Sequence, residues 1–456
     1  MKKLKITLVG AGSISFALET LHDIALSERL KDETELELVL MDIVEDNMKR
    51  TYNYAKELFE AFNYPVNLWM TTKLHEAVEA ADFVITAIEV ERFFYWSQDF
   101  HIPRRYGSKQ IFAENGGPGS MFHTLRNLPP LLEIAKKMEE VCPDAWIINY
   151  TNPEAKLVEA LTKLTTIKVV GLCHGLHMGM EQLADILEMD VEELDVEGGG
   201  LNHFGFFTKI WNRETGEDLY PTFAEKERKA NRLAHFDEYY MSRMMYRLYG
   251  YYPYPGSSHC GEYISYADDF YLGSKIRYAY DPLIDRPWQE GEPVLEWGRS
   301  FDQGLFDEAQ SYDEWIIEEA TFSMDKVEKS WEYAIPIIEA IMFDDPLEIP
   351  AVNLMNNGAI AGLPDDMVVE TQAIADGNGI RFKPMTIPLP TAVIGIIHIQ
   401  GMIHRLLIEA FLEESKTKLL QAVLLDPNAP TYYQAAAMID ELCEKQKEIL
   451  PPLAWK

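Results

Sequence analysis

The chain is short of several things whose absence narrows its role. Four cysteines, Cys142, Cys173, Cys260 and Cys443, are scattered over 456 residues without close-paired spacing. That excludes a disulfide-framed scaffold and fits free thiols in a reducing cytoplasm. Basic charge is also scarce: 41 Lys and Arg face 74 Asp and Glu, a formal net charge of -33. Such a surface repels phosphate backbones and anionic bilayers, so neither nucleic acid nor membrane is expected as a partner. An anionic small molecule in a locally basic pocket is not excluded.

Long apolar runs are missing as well. The most apolar late stretch, 391–403, is interrupted by His398 and Gln400 and reads as too short to span a bilayer. The opening MKKLKITLVGAGSISFAL carries lysines before an apolar run, but its glycines and the strand-like KITLVG argue for a retained first strand and against a signal peptide. No internal repeat, low-complexity tract or flexible linker stands out. The length suits two to four domain-sized units.

What is present begins with alternating strand and helix patterns over the first two hundred residues. A β-branched run at 5–9 leads into Gly10-Ala11-Gly12-Ser13-Ile14 and then a helical pattern. A strand, a glycine turn and a helix N-terminus offer backbone N–H groups and a favourable dipole to a pyrophosphate. Gly10 and Gly12 fill two positions of the dinucleotide fingerprint, and Ser15 stands at the third. A second strand at 37–41 ends in Asp42, placed to bind ribose hydroxyls and to favour NAD over its phosphorylated form. The insertion SERLKDETE absorbs its extra distance from the turn. A further strand ending at Ala87-Ile88 should lie along the same dinucleotide, and Gly10, Gly12, Ser13, Ile14, Asp42, Ala87 and Ile88 form the expected cofactor set.

Three more features point to the same sheet edge. Asn115 to Ser120 is a glycine-rich loop opening a helix that carries Arg126; it serves as a structural turn or lets backbone approach a ligand. Asn152 follows a buried strand, and Cys173 follows the next, at the edge where doubly wound sheets collect ligands. A second candidate stretch, EGGGLNHF, carries Asn202 and His203. Cys173 and His203 are either a core thiol and a core imidazole or a pair of ligands to a first-row divalent metal.

Beyond residue 201 the alternation stops and helical patterns dominate, at 221–248, 311–339 and 390–426. Between them, 252–270 is crowded with polar and aromatic groups, His259, Glu262 and Tyr263 among them. The stretch 353–364 reads as a substrate wall or a β-turn. The expected fold is α/β: a Rossmann-like doubly wound parallel sheet over 1–200, then a largely helical α+β unit over 201–456.

GAGSISF, Met41-Asp42, GGPGS followed by LR, INYTNP, GLCHG and LNHF occur in the order seen in glycoside hydrolase family 4, which the chain resembles nearly end to end, in particular its melibiase-type α-galactosidase branch. The family is a known exception to two-carboxylate glycoside hydrolysis. The resemblance implies an oxidoreductive elimination: NAD⁺ takes a hydride from sugar C3, a base removes the C2 proton, the glycosidic oxygen leaves, water adds and the hydride returns. A divalent metal, usually manganese, bridges the C2 and C3 oxygens.

Carried over residue by residue, the resemblance makes Cys173 and His203 metal ligands and Asn152 a sugar-binding residue. Asn202 and Arg126 become substrate candidates, and His174 a possible acid for the leaving group. Tyr263 and His259 are candidates for the base; a tyrosine would need its pKa lowered. His123 departs from the Arg of many members. The implied substrate is a small glycoside, an α-galactoside first, with α-glucuronides, α-galacturonides or 6-phosphoglycosides as alternatives. A homodimer or homotetramer is expected, with 201–456 as the catalytic and oligomerisation unit. A 2-hydroxy-acid dehydrogenase sharing the nucleotide fold is the competing class, and a non-catalytic NAD-binding sensor a third.

Overall fold

The structure is a computed structural model that describes residues 1–229, 238–271 and 320–456. Six strands form a parallel sheet: β1 (Lys2–Val9), β2 (Thr34–Met41), β3 (Val66–Thr71), β4 (Phe83–Thr86), β5 (Trp146–Asn149) and β6 (Lys168–Gly171), in the spatial order β3-β2-β1-β4-β5-β6. Neighbouring residues on these strands enter different cores. Phe83, Ile85, Ile148 and Val170 pack on one face with Leu4, Ile6 and Leu8, whereas Val84, Ile147 and Val169 pack on the other. Period-two side chains buried on both faces require apolar residues at nearly every position, which is why these strands read as continuous runs.

Helices cover both faces. Ile14–Leu26, Glu45–Ala61 and Ala334–Phe343 contribute to the first core. Gly117–Val141 and Glu154–Leu164 contribute to the second. The expected insertion after the first helix folds as a short helix, Glu28–Glu33, whose N-cap Ser27 accepts from the Leu30 N–H.

The sheet does not stop at residue 200. β10 (Leu347–Met355) joins β6 antiparallel through Asn353 and Gly171, and β11 (Val368–Asp376) pairs with β10. Beyond them come β7 (Leu194–Leu201), β8 (Phe204–Asn212) and β9 (Tyr252–Tyr254), while β12 (Gly379–Phe382) pairs with β11. Twelve strands therefore form one sheet, parallel in its first half and antiparallel in its second.

Two helical expectations are redrawn. The pattern at 390–426 is two helices, Thr391–Leu412 and Lys416–Leu425, separated where Glu414 adopts φ 51°. The first is 22 residues, so the expectation that this stretch is too short to span a bilayer fails on length and composition. Its face with Val393, Ile397, Ile403 and Leu407 packs in the protein core, and His404 on the same face lies 3.1 Å from Glu159. The pattern at 221–248 appears as Tyr220–Lys229 and Glu238–Tyr249. Of the pattern at 311–339, residues 311–319 lie outside the described residues, and its end belongs to Ala334–Phe343.

Candidate active site

Every strand of the parallel half delivers its C-terminal end to one edge. After β1, the Gly10 and Ala11 N–H groups donate to the Met41 carbonyl at 2.9 and 3.0 Å, which folds the glycine turn against β2. Gly10 has φ 89°, and a Cβ there would sit 2.2 Å from the Ala87 carbonyl oxygen. Only glycine meets both demands. Asp42, just past β2, accepts the Gly12 N–H on Oδ2 and the Val44 N–H on Oδ1, both at 2.8 Å. Ser13 closes the turn onto Gly10 at 2.9 Å, and Ile14 opens the following helix. Ala87 donates to Val9, and Ile88 donates to Thr151 Oγ1 at 2.9 Å. The seven residues expected to hold a dinucleotide thus share one turn and its two flanking strand ends.

From there a polar network runs to the antiparallel half. The Asn152 carbonyl accepts from Asn127 Nδ2 at 2.9 Å, and the same amide reaches Glu89 Oε1 at 3.1 Å. Glu89 meets His123 Nε2 at 2.9 Å and lies 3.6 Å from Arg92, which donates to Glu114 Oε1 at 2.6 Å. Arg92 is therefore shared between two carboxylates.

Glu114, His203 and His259 present ligand atoms that all lie within 4.8 Å of one another. His203 sits with Asn202 in the turn between β7 and β8, and its φ of 63° is left-handed. Its ring is edge-on to His259 with centroids 4.5 Å apart, and its Nδ1 lies 3.0 Å from Asn115 Nδ2. Burial lowers His203 to about 4, and burial together with His203 lowers His259 to about 3. Burial opposes the charge of Glu114, yet Arg92, His203, His259 and His123 hold it down to about 2. One ionised carboxylate and two uncharged imidazoles, with Glu114 and His203 buried and His259 partly exposed, are the donors a first-row divalent cation takes.

Cys173 lies just beyond β6. Its Sγ accepts the Gly175 N–H at 3.3 Å, and the Asn202 amide lies against it, which links the thiol to the residue beside His203. Burial, with Glu370 and Glu154 close by, pushes the thiol well above its ordinary value. It also lines a cavity of about 350 Å³ with His174, His177, Trp211, Trp331 and Tyr333. His174 is half exposed and lies 3.2 Å from Glu332; that hydrogen bond raises its pKa. Asn202 Nδ2 donates to Glu370 at 3.1 Å, and Asn353 Nδ2 bridges Glu154 and Glu370 at 3.1 and 2.9 Å.

Two expectations are corrected. Arg126 has a side chain 0% exposed and donates from Nη1 to Asp99 at 2.8 Å and Gln446 at 3.2 Å, so it forms a buried ion pair and meets no open surface. The Tyr263 hydroxyl donates to the carbonyls of Asn115 and Asn202 at 3.2 and 3.1 Å, and burial drives its pKa well above the usual phenol value. It braces two loops and is poorly suited to accept a proton. The 252–270 segment is mostly buried, Glu262 included, whose carboxylate accepts the Glu114 and Asn115 N–H groups at 2.6 and 2.9 Å. Glu114 escaped the sequence reading although it directly precedes the glycine loop.

A family model described as Family 4 glycosyl hydrolase matches residues 5–189, and its companion, described as Family 4 glycosyl hydrolase C-terminal domain, matches residues 199–429. The chain belongs to glycosyl hydrolase family 4. This family 4 glycosyl hydrolase is 30% identical to an alpha-glucosidase of Erwinia rhapontici, with 97% of this chain and 98% of that one covered. It is also 30% identical to an alpha-galactosidase of Bacillus subtilis (strain 168), covering 98% and 99% of the two chains. A 6-phospho-alpha-glucosidase from gut microorganisms, solved in complex with NAD and Mn2+, shares its fold with a TM-score of 0.76 at 24% identity over 99% and 100% of the chains. The family and fold class expected from the sequence both hold. The family matches run through both halves of the chain, and the dehydrogenase alternative is not better supported.

Proposed function

We propose that this glycosidase cleaves an uncharged terminal hexoside, an α-galactoside first, with NAD and a divalent metal such as Mn2+ as cofactors. What supports the proposal is the glycine turn folded beside Asp42, Cys173 just past β6 against the Asn202 amide, and the group of Glu114, His203 and His259, in which His203 directly follows Asn202. NAD and the cation, when bound, supply reversible hydride acceptance at sugar C3 and Lewis-acid polarisation of the C2 and C3 oxygens.

The chain's own residues do the rest. Gly10, Gly12, Ser13 and Ile14 receive the pyrophosphate, Asp42 the ribose, and Ala87 and Ile88 flank the nicotinamide side. Cys173 and His203 would hold the cation, and Asn152 and Asn202 would orient the sugar. Of the two expected bases, His259 takes the C2 proton, because Tyr263 spends its hydroxyl on two carbonyls. His174, kept basic by Glu332, donates a proton to the leaving oxygen. We assign residues 1–200 to the dinucleotide and 201–456 to catalysis and assembly in a cytoplasmic homodimer or homotetramer. Exposed Leu412, Leu424, Leu425 and Tyr433 offer apolar surface for that assembly.

The preference for an uncharged sugar rests on Glu89 and Glu114, which share the single guanidinium of Arg92 and leave little positive potential for a phosphate or carboxylate. A panel of p-nitrophenyl α- and β-hexosides, uronides and 6-phosphohexosides, with NAD⁺, Mn2+ and thiol, tests it. The α-galactoside should turn over fastest with no net NADH. Faster turnover of an uronide or a 6-phosphohexoside would overturn the substrate assignment. Stoichiometric NADH without glycoside cleavage would overturn the mechanism.

A further inference from the structure

We propose that Glu114 is a ligand of the divalent cation, the carboxylate that completes a site begun by Cys173 and His203; the inference rests on the metal-dependent function proposed above. Three observations carry it. First, its carboxylate shares with His203 and His259 a set of ligand atoms mutually within 4.8 Å, on a residue only 4% exposed. Second, the position is built rather than incidental. The Glu114 N–H donates to Glu262 at 2.6 Å, His123 Nδ1 lies 3.0 Å from its carbonyl, and Arg92 orients its side chain through Oε1 at 2.6 Å. Outer partners that fix a ligand's orientation are a regular part of metal sites.

The third observation is charge. Arg92 also lies 3.6 Å from Glu89, which meets His123 as well, so its guanidinium is divided between Glu89 and Glu114. A thiolate and an imidazole bring one negative charge to a dication, and one carboxylate brings the second. Manganese in particular favours oxygen donors. His259, the third member of the group, keeps the role of base given to it above.

The test is Mn2+ uptake by the purified full chain with NAD⁺ present and sugar absent, followed by the loss of the free-ion electron paramagnetic resonance signal. Wild type should take up Mn2+, and Glu114→Gln should bind it at least about ten-fold more weakly, while His259→Asn stays within about three-fold of wild type. If Glu114→Gln does not fold, Glu114→Asp should still weaken uptake by at least about three-fold. Uptake by both Glu114 variants equal to wild type, with uptake lost in Cys173→Ser, would overturn the assignment of Glu114 and leave the metal-dependent function standing. No uptake by wild type would overturn both. Uptake lost in His259→Asn but kept in Glu114→Gln would hand the third position to the imidazole and overturn the assignment.

Discussion

The carboxylate of Glu154 lies directly over the backbone of Gly171, where an added Cβ would stand 1.6 Å from Glu154 Oε1. Glu154 is 1% exposed and its Oε2 accepts from Asn353 at 3.1 Å, so its side chain is enclosed and tethered. Gly171 is the last residue of β6, two before Cys173. Gly171→Ala is expected to cost about 1–3 kcal/mol through overpacking. Removing the obstruction should repair it: in the double variant with Glu154→Ala, the two losses should fall short of their sum by at least about 1 kcal/mol. Urea midpoints of the four proteins measure this, and strictly additive losses would contradict the contact.

Tyr263 gives a second expectation. Its hydroxyl donates to the carbonyls of Asn115 and Asn202, the neighbours of Glu114 and His203. Tyr263→Phe should lower stability by about 1 kcal/mol and kcat by less than about ten-fold, as loss of a brace does. A fall of about a thousand-fold with unchanged stability, and with exchange of the sugar C2 proton abolished, would return the base role to the phenol.

Asp426 links stability to pH. Burial pushes its carboxyl up to about 6, although the Asn428 N–H and Lys156 work in the opposite direction. The folded state therefore holds this proton more tightly than the unfolded chain does. Its contribution to folding is complete below about pH 4 and is lost as the pH rises through about 6. The full span is worth about 3 kcal/mol at most. Asp426→Asn, which keeps an acceptor for the Asn428 N–H, should flatten this part of the profile, with a more favourable change in urea midpoint at pH 7.5 than at pH 4.5. An equal change at both values would contradict the burial of an ionisable group there.

How much of this was legible in the sequence differs between the halves. The parallel sheet was, because strands buried on both faces must be apolar at consecutive positions and Gly10 must accommodate both its φ and the Ala87 carbonyl. Asp42 was legible for the same reason, as a polar residue ending such a strand. The antiparallel half was not: β10 joins β6 through the single pair of Asn353 with Gly171, β11 joins β7 through two pairs, and pairing across nearly two hundred residues leaves no local pattern. Arg126 looked like a free cation on a helix because its partner, Asp99, is 27 residues away. Glu114 was not legible because its neighbours His203 and His259 come from a hairpin turn and a short helix far along the chain.

The central claim is that NAD is borrowed and returned while the C2 proton is exchanged, and turnover in D2O tests it most directly. With the α-galactoside, NAD⁺ and Mn2+, the released hexose should carry deuterium at C2 while absorbance at 340 nm shows no accumulating NADH. Hexose released without deuterium at C2, or NADH rising in step with product, would contradict it.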